Sequence, residues 1–524
     1  MKITLIQPPM AVKDPKSQPQ AQPPLGLGYL AASMRQEGHT VGVVDGVGEG
    51  LGRHSQLADG SWIYGLPIDE MVERVDDDVE VLGVGIMFSS CWPVSRTLIH
   101  ALRARFPRAV IVCGGEHVTA LPEFVLHEAP INYAVLGEGE ETLSELLAHL
   151  GSVAGSLPVE RIAGLCWRSD GTIVRTPGRQ RLRTLDQIPW PAWDLFPIDG
   201  YLESGLFASM AFATTSRPMV IMGTRGCPYT CTFCSNEQMW GINFFMRDPK
   251  DIVDEMEFYR RTYRATDFHF QDLTLIINRR WTHQLCDEIL RRKLDITWKT
   301  TSGTRSEALD LELLKKIASS GCDELTLAPE SGSEAITKVT RKRVQLEHVL
   351  TLARQARDHA LPMQIKANMI IGYPEERLRD VLRTFAYIVR MARGGFSYAS
   401  IHRFTAYPGC QYHADAVAAG EITHTDDYFS SLCMEFPFNR ASWHPRWSGG
   451  FIFLLVTLGY CLFFGAYYLS RPAYALAALW AVLSKRPQSR LERYLAYRLW
   501  GESGTRRRAV ASEPAALDYP RTAA

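Results

Sequence analysis

Over its first 150 residues the chain alternates short apolar runs with segments of helical period. Lys2 to Ile6, Thr40 to Val44, Val81 to Met87, Ala109 to Val112 and Tyr133 to Leu136 predict strands. Leu25 to Glu37, Val94 to Phe106 and the stretch from Glu141 predict helices. This β-α-β order predicts a parallel sheet with helices on both faces, whose ligands sit where the carboxyl ends of the strands turn into loops. The loops there are Gln7-Pro8-Pro9, Ser89-Ser90, Gly114-Gly115-Glu116-His117 and Gly137-Glu138-Gly139-Glu140. Their glycines let the backbone approach a flat ligand closely.

Residues 151–205 break the pattern. Leu165 to Arg168 and Gly171 to Val174 predict a hairpin, and the proline-punctuated Leu185 to Trp193 cannot be helix. The stretch reads as a connector in which Trp190 and Trp193 anchor packing. Over 206–420 the alternation resumes, with strands at Met219 to Gly223, Asp267 to Gln271, Thr297 to Thr300, Glu324 to Ala328, Gln364 to Ile370 and Tyr398 to Phe404. About six such units predict a partial (β/α) barrel, in which reactive groups project from the carboxyl ends of the strands. Gln271, Arg305, Glu330, Ser331 and the run Gly372-Tyr373-Pro374-Glu375 stand at those ends. An acid or amide there can bind hydroxyls or an ammonium, and an arginine can pair with a carboxylate.

The first barrel strand runs into Gly223-Thr224-Arg225-Gly226-Cys227-Pro228-Tyr229-Thr230-Cys231-Thr232-Phe233-Cys234, three thiols within eight residues. Glycine and proline exclude a regular element, so the stretch reads as a loop around a metal centre. Three thiolates are one short of a closed 4Fe–4S or structural zinc site, which leaves a position for chemistry. A zinc loop closed by a distant ligand such as His269 is the competing reading.

Cys-x3-Cys-x2-Cys with Phe233 before the last cysteine resembles the radical S-adenosylmethionine (SAM) enzymes. A sheet domain ahead of it, with Pro24-Leu25-Gly26-Leu27-Gly28-Tyr29 and the two glycine loops, resembles the cobalamin-binding domain of the B12-dependent members. The resemblance covers roughly residues 1–420. It implies an α/β protein with a flavodoxin-like (Rossmann-like) cobalamin-binding domain at 1–150, a linker at 151–205, a partial (β/α)6 radical SAM barrel at 206–420 and a helical region at 421–524. It implies that Cys227, Cys231 and Cys234 hold a 4Fe–4S cluster, that Phe233 lies near the adenine of SAM, and that Gln271, Arg305, Glu330 and Ser331 bind SAM. For cobalamin it implies Pro9, Leu27, Ser89, Gly114, Gly115, Glu116, His117, Gly137, Glu138 and Gly139. A loop histidine bonding its own turn is an equal reading of His117. The loop after the first strand lacks the Asp-x-His-x-x-Gly of histidine-ligating domains, and Asp45 to Gly50 has no histidine, so cobalt without a histidine ligand is expected.

The function so implied is radical methyl transfer to an unactivated carbon of a small-molecule or lipid-like metabolite, fed by an electron donor such as flavodoxin or ferredoxin. Ring closure or oxidative rearrangement on the same scaffold is one alternative. A membrane-associated iron–sulfur redox or binding protein is another. In Phe404 to Cys410, which resembles the closing turn of the family, Cys410 reads as an inert small residue rather than a substrate-side thiol.

Composition narrows the setting. The chain has 524 residues, 46% hydrophobic, with 57 Lys+Arg against 57 Asp+Glu, a balance that argues against nucleic acid as partner. Eleven cysteines, scattered singly apart from the triplet, form no disulfide framework, and Met1 to Pro9 is no signal peptide, so a reducing cytoplasm is expected. Phe451 to Leu469 is nineteen residues without a charge, close to the length of a membrane span. A second apolar run, Ala473 to Leu483, precedes Lys485, Arg486, Arg490, Arg493 and Arg498. Membrane contact through 451–483 and a helical cap on the barrel are both open. A polar, disordered tail is expected from Gly501.

Overall fold

In the computed structural model the described residues are 1–207, 216–433 and 441–485, with 492, 495, 496, 499 and 500. The first half builds strands β1 (Lys2–Gln7), β2 (Met10–Val12), β3 (Thr40–Asp45), β4 (His54–Gln56), β5 (Trp62–Tyr64), β6 (Val81–Gly85), β7 (Val110–Gly114), β8 (Tyr133–Val135), β9 (Leu165–Ser169) and β10 (Thr172–Arg175). Among the described residues, β10-β9-β8-β7-β6-β1-β3 form one seven-stranded sheet. It is parallel from β8 to β3. Counted along the chain, the parallel strands lie in the order 2-1-3-4-5, the flavodoxin-like arrangement, with its switch point and ligand crevice between β1 and β6.

Two features depart from the sequence pattern. The hairpin expected in the connector is the edge of this sheet, because β9 pairs antiparallel with β8 (Tyr133↔Trp167) and buries Leu165 and Cys166. A separate small sheet, β2-β5-β4, was not predicted, its three-residue strands being too short to show a period. The connector itself packs as expected. Trp193 is fully buried against Gly28, where a Cβ would stand 2.9 Å from Pro191 Cβ, so the second glycine of the Pro24–Tyr29 motif is explained by close packing.

The second half adds β11 (Pro218–Ile221), a short ribbon of β12 (Thr224–Arg225) and β13 (Phe245–Met246), then β14 (Asp267–Phe270), β15 (Thr297–Thr300), β16 (Cys322–Glu330), β17 (Gln364–Ile371) and β18 (Phe396–Arg403). The order β11-β14-β15-β16-β17-β18, parallel throughout, is a six-stranded open barrel. Along β17, Ile365, Ala367, Met369 and Ile371 are buried while the residues between them are half-buried, the period-two signature of two faces in different surroundings.

The free edge of β18 is covered by the helix Gly449–Leu469, which lies along it and along the helix Leu378–Gly394. Ile452, Leu455, Val456, Gly459, Phe463 and Ala466 recur every three or four residues and are buried, and the Tyr460 hydroxyl accepts the edge N–H of Ile401 at 3.0 Å. Of the two readings of Phe451 to Leu469, this stripe is the cap. One face of the helix is taken up by the barrel, and its outer face, with Leu454 and Leu458, stays bare. Arg486, Arg490, Arg493, Arg498 and the tail from Gly501 lie outside the described residues.

Packing of this face predicts that Phe463→Ala, at a fully buried position, costs about 3–5 kcal/mol, whereas Leu458→Ala on the exposed face stays within about 0.5 kcal/mol. Urea denaturation of the two variants beside the parent checks it.

Candidate active site

Asp272 holds the root of the cysteine loop. Its carboxylate accepts the N–H of Gly223 at 3.2 Å, the N–H of Thr224 and the Thr224 hydroxyl at 2.6 Å, and burial pushes its pKa up to about 6. Gly226 then turns the chain at φ +88°, where a Cβ would meet Asn243 O at 2.1 Å, so only glycine fits. Beyond it the backbone is tied down at three places. Cys234 N–H donates to Cys231 O at 3.1 Å, Thr232 N–H to Thr340 O at 3.1 Å, and Asn236 Nδ2 to Cys227 O at 3.0 Å.

Cys227, Cys231 and Cys234 are half-buried and close enough to feel one another's charge. Burial pushes all three thiols up, Cys234 to about 12, while the cations Lys342 and Arg305 pull Cys227 and Cys231 back. A metal-bound thiolate is deprotonated outright, and the two cations favour that form. Among the described residues no three His, Cys, Asp or Glu side chains converge on a point that one ion could occupy. Three half-buried thiols on one loop, with the cations Lys342 and Arg305 beside them, are a donor set suited to an anionic iron–sulfur cluster. The competing zinc reading loses its ligand, because His269 is buried in the barrel with Nε2 3.0 Å from Asp267.

Arg305 and Glu330 gather at these sulfurs. The Arg305 guanidinium lies 3.9 Å from the centre of the Tyr229 ring and pairs with Glu307 at 2.6 Å. Glu330 sits at φ +65° beside a register shift in β16, a left-handed conformation that a non-glycine residue holds at a cost and that recurs at functional sites. Its carboxylate is 3.1 Å from Lys342 Nζ. Burial lowers the Lys342 pKa, but Glu330 and Cys231 together hold the net shift upward, so the ammonium stays charged. Lys342 was missed in the sequence because it stands in Arg341-Lys342-Arg343, which reads as a solvated run. The two arginines take φ of +56° and +49°, and the lysine between them is buried. Gln271 accepts from Gln22 Nε2 at 3.0 Å, yet its own Nε2 is buried with no partner among the described residues, as is the hydroxyl of Tyr373, whose ring centre is 5.7 Å from that of Phe233. Buried donors without partners at a barrel mouth are what a polar ligand such as SAM completes. The Ser331 hydroxyl lies 3.2 Å from that of Thr384 and accepts the N–H of Ser333 at 3.1 Å, tying the turn after β16.

Pro9 ends the segment after β1, Ser89 follows β6, and Gly114 and Gly115 end and follow β7. Met87 and Phe88, passed over in the sequence because they continue an apolar run, are exposed just beyond β6. Bare apolar side chains at a crevice of this kind suit a flat ring such as corrin. Leu27 is instead buried, its methyls 3.0 Å from where a Cβ of Gly85 would stand. His117 neither bonds its own turn nor opens to the crevice. Its Nδ1 meets Ser89 Oγ at 2.9 Å, its ring is wholly buried beside Trp92 and Phe429, and burial lowers its pKa to about 3.

Glu116 and Glu138 of the glycine loops turn instead to the cysteine loop. Glu116 accepts from Ser235, Gly137 lies against Met239 O, and Gly139 against Leu30. Glu138, expected at cobalamin, is committed to arginines: Arg181 at 2.6 Å and Arg225 at 3.0 Å, with Arg225 also on Glu140 at 2.7 Å. Burial opposes the charge on Glu140, but Arg225 wins and holds that carboxyl below its usual range. Beside this junction a cavity of about 570 Å³ is lined by Leu121, Cys231, Cys234, Cys410 and the pair His413 and His424. Cys410 is buried, its thiol pushed up by burial to about 11, consistent with an inert residue.

Residues 19–147 match the family model of the B12 binding domain and residues 221–388 that of the radical SAM superfamily. The chain is similar to an uncharacterized methyltransferase of Pyrococcus horikoshii, 27% identical over 80% of this chain and 83% of that one. It is also similar to the cytidylyl-2-hydroxyethylphosphonate methyltransferase of Streptomyces wedmorensis, 28% identical over 77% and 79%. The anaerobic magnesium-protoporphyrin IX monomethyl ester cyclase of Rubrivivax gelatinosus is 26% identical over 71% of this chain and 62% of that one. Among solved structures, the radical SAM methyltransferase TsrM from Kitasatospora setae, with cobalamin and a 4Fe–4S cluster bound, superposes with a TM-score of 0.60 at 18% identity, covering 78% and 76% of the two chains.

Removing Arg225 leaves the buried Glu140 carboxylate without its cation while Glu138 keeps Arg181, so Arg225→Met is expected to cost about 3–5 kcal/mol. Adding Glu140→Gln to it restores most of that loss, as read by urea denaturation.

Proposed function

We infer, for a chain that belongs to the radical SAM enzymes carrying a B12-binding domain, a cobalamin-dependent methyl transfer to an unactivated carbon of a small-molecule or lipid-like metabolite. The observation that carries this reading is the position of the cysteine loop: it stands at the barrel mouth and is bonded directly to the loops at the carboxyl ends of the flavodoxin-like sheet. A reaction that needs two cofactors around one substrate needs them on such a shared face.

When bound, the cluster with SAM supplies the one-electron chemistry that removes a substrate hydrogen, and cobalamin supplies the methyl group. The chain's part is to hold and orient. Cys227, Cys231 and Cys234 would hold the cluster through three thiolates, one short of a full set, with SAM as the remaining ligand. Arg305, Glu330 and Gln271 are proposed to grip SAM by its charged and hydroxyl groups, with Phe233 and Tyr373 beside it. Lys342 pairs with Glu330, and its charge favours the thiolate form of the sulfurs. Pro9, Met87, Phe88, Ser89, Gly114 and Gly115 form the cobalamin crevice, without a histidine on cobalt. The enzyme works in the cytoplasm with electrons from a flavodoxin or ferredoxin, and nucleic acid is no partner.

Ring closure is the second reading, favoured by the cyclase relative. Anaerobic reconstitution with reductant and SAM, followed by mass spectrometry of small molecules from cells with and without the protein, separates them: methyl transfer adds one CH2 and cyclisation adds none. Absence of 5′-deoxyadenosine would leave only a redox or binding role. Cys231→Ala is expected to abolish both iron loading and SAM cleavage, and survival of either counts against the triad.

A further inference from the structure

The helix Pro472–Leu483 follows the barrel cap and is apolar on every side, yet within it only Ala481 and Val482 are buried. Tyr474 is 56% exposed, Leu476 69% and Trp480 62%, with Leu479 and Leu483 also bare. Leu454, Leu458 and Leu469 on the outer face of the preceding helix add to this surface. Arg471, at the turn between the two helices, is held inward, Nη1 donating to Ala392 O at 2.8 Å and its guanidinium 4.3 Å from the Tyr467 ring centre. So the outer face carries no charge from Gly449 to Leu483 apart from that tucked arginine. An exposed apolar surface of this extent marks an interaction site.

The charge that follows says what covers it. Residues 485–508 hold eight Lys or Arg and two Glu, in a chain whose formal net charge is zero. Lys485, the first of them, lies 5.0 Å from the Trp500 ring centre, and Leu495, Leu499 and Trp500 are exposed as well. An apolar helix bearing Tyr and Trp, followed at once by a concentrated positive charge, matches an anionic lipid surface: acyl chains take the aliphatic side chains, the headgroup region the aromatic ones, and lipid phosphates the basic ones.

We propose that Pro472–Leu483 lies in the plane of an anionic bilayer and docks the enzyme on it from one side, without crossing. The inner stripe of Gly449–Leu469 stays on the barrel. This holds the barrel at the lipid surface, and it does not depend on whether the reaction is methyl transfer.

Co-sedimentation of the full-length reconstituted protein with vesicles of phosphatidylcholine alone and of phosphatidylcholine with phosphatidylglycerol tests it. The expected result is binding to the anionic vesicles, weakened at least tenfold by Leu476→Glu/Leu479→Glu/Trp480→Glu and several-fold by Lys485→Glu/Arg486→Glu or by high salt. These positions are exposed or flanking, and unchanged iron loading confirms that the variants fold. From membranes of expressing cells, alkaline carbonate should release the protein. Failure to bind anionic vesicles overturns the proposal, as does resistance to carbonate, which would mean a span. A dimer that the triple variant dissociates, with no vesicle binding, overturns it in favour of a second copy as the occupant.

Discussion

The buried fork of Arg225 between Glu138 and Glu140 is the interaction on which the arrangement depends. Arg225 stands two residues before the first cysteine, and both carboxylates belong to the loop that ends β8 and starts the next helix. A pair of charges taken out of water adds little net stability, but it is unforgiving about geometry, because a shift of either partner leaves a bare charge in a poor solvent. Here that intolerance acts across two sheets. It makes the spacing between the cysteine loop and the flavodoxin-like crevice a fixed quantity.

Around that joint the electrostatics are layered. Nearest the sulfurs are the cations Lys342 and Arg305, and behind them Glu330 and Glu307 keep the region close to neutral. On the other side Asp272 binds the loop through backbone donors and a hydroxyl, and it is buried with a raised pKa and no salt bridge among the described residues. The loop is thus held by dipoles at its root and by charges at its flank, and the thiols are left for the metal.

Much of this was legible in the residues. The strands of both sheets fall within a few residues of their predicted places because each is a continuous apolar run between turn formers, and the triad announces itself by spacing. Arg305 and Glu330 stand out as candidates because strand ends in such barrels are where reactive groups gather. What was hidden depends on distant partners. Nothing local says that Glu138 meets Arg225, 87 residues on, rather than a cofactor, or that Leu165 to Ser169 would extend a sheet begun at Lys2. Lys342 was concealed by its basic neighbours, since the turn that sends it inward is a matter of backbone angles. Phe451 to Leu469 was ambiguous for another reason: a helix apolar all round carries no period to tell which face is used.

That helix also bears on how the protein is handled. Trimming the greasy carboxyl-terminal segment is an obvious way to improve yield, and here it would do the reverse. A cut before Gly449 strips the lid from β18, bares the stripe of the helix Leu378–Gly394 beneath, and leaves an open row of backbone donors and acceptors ready to zip onto the next molecule. Shortened versions should stop after Leu469.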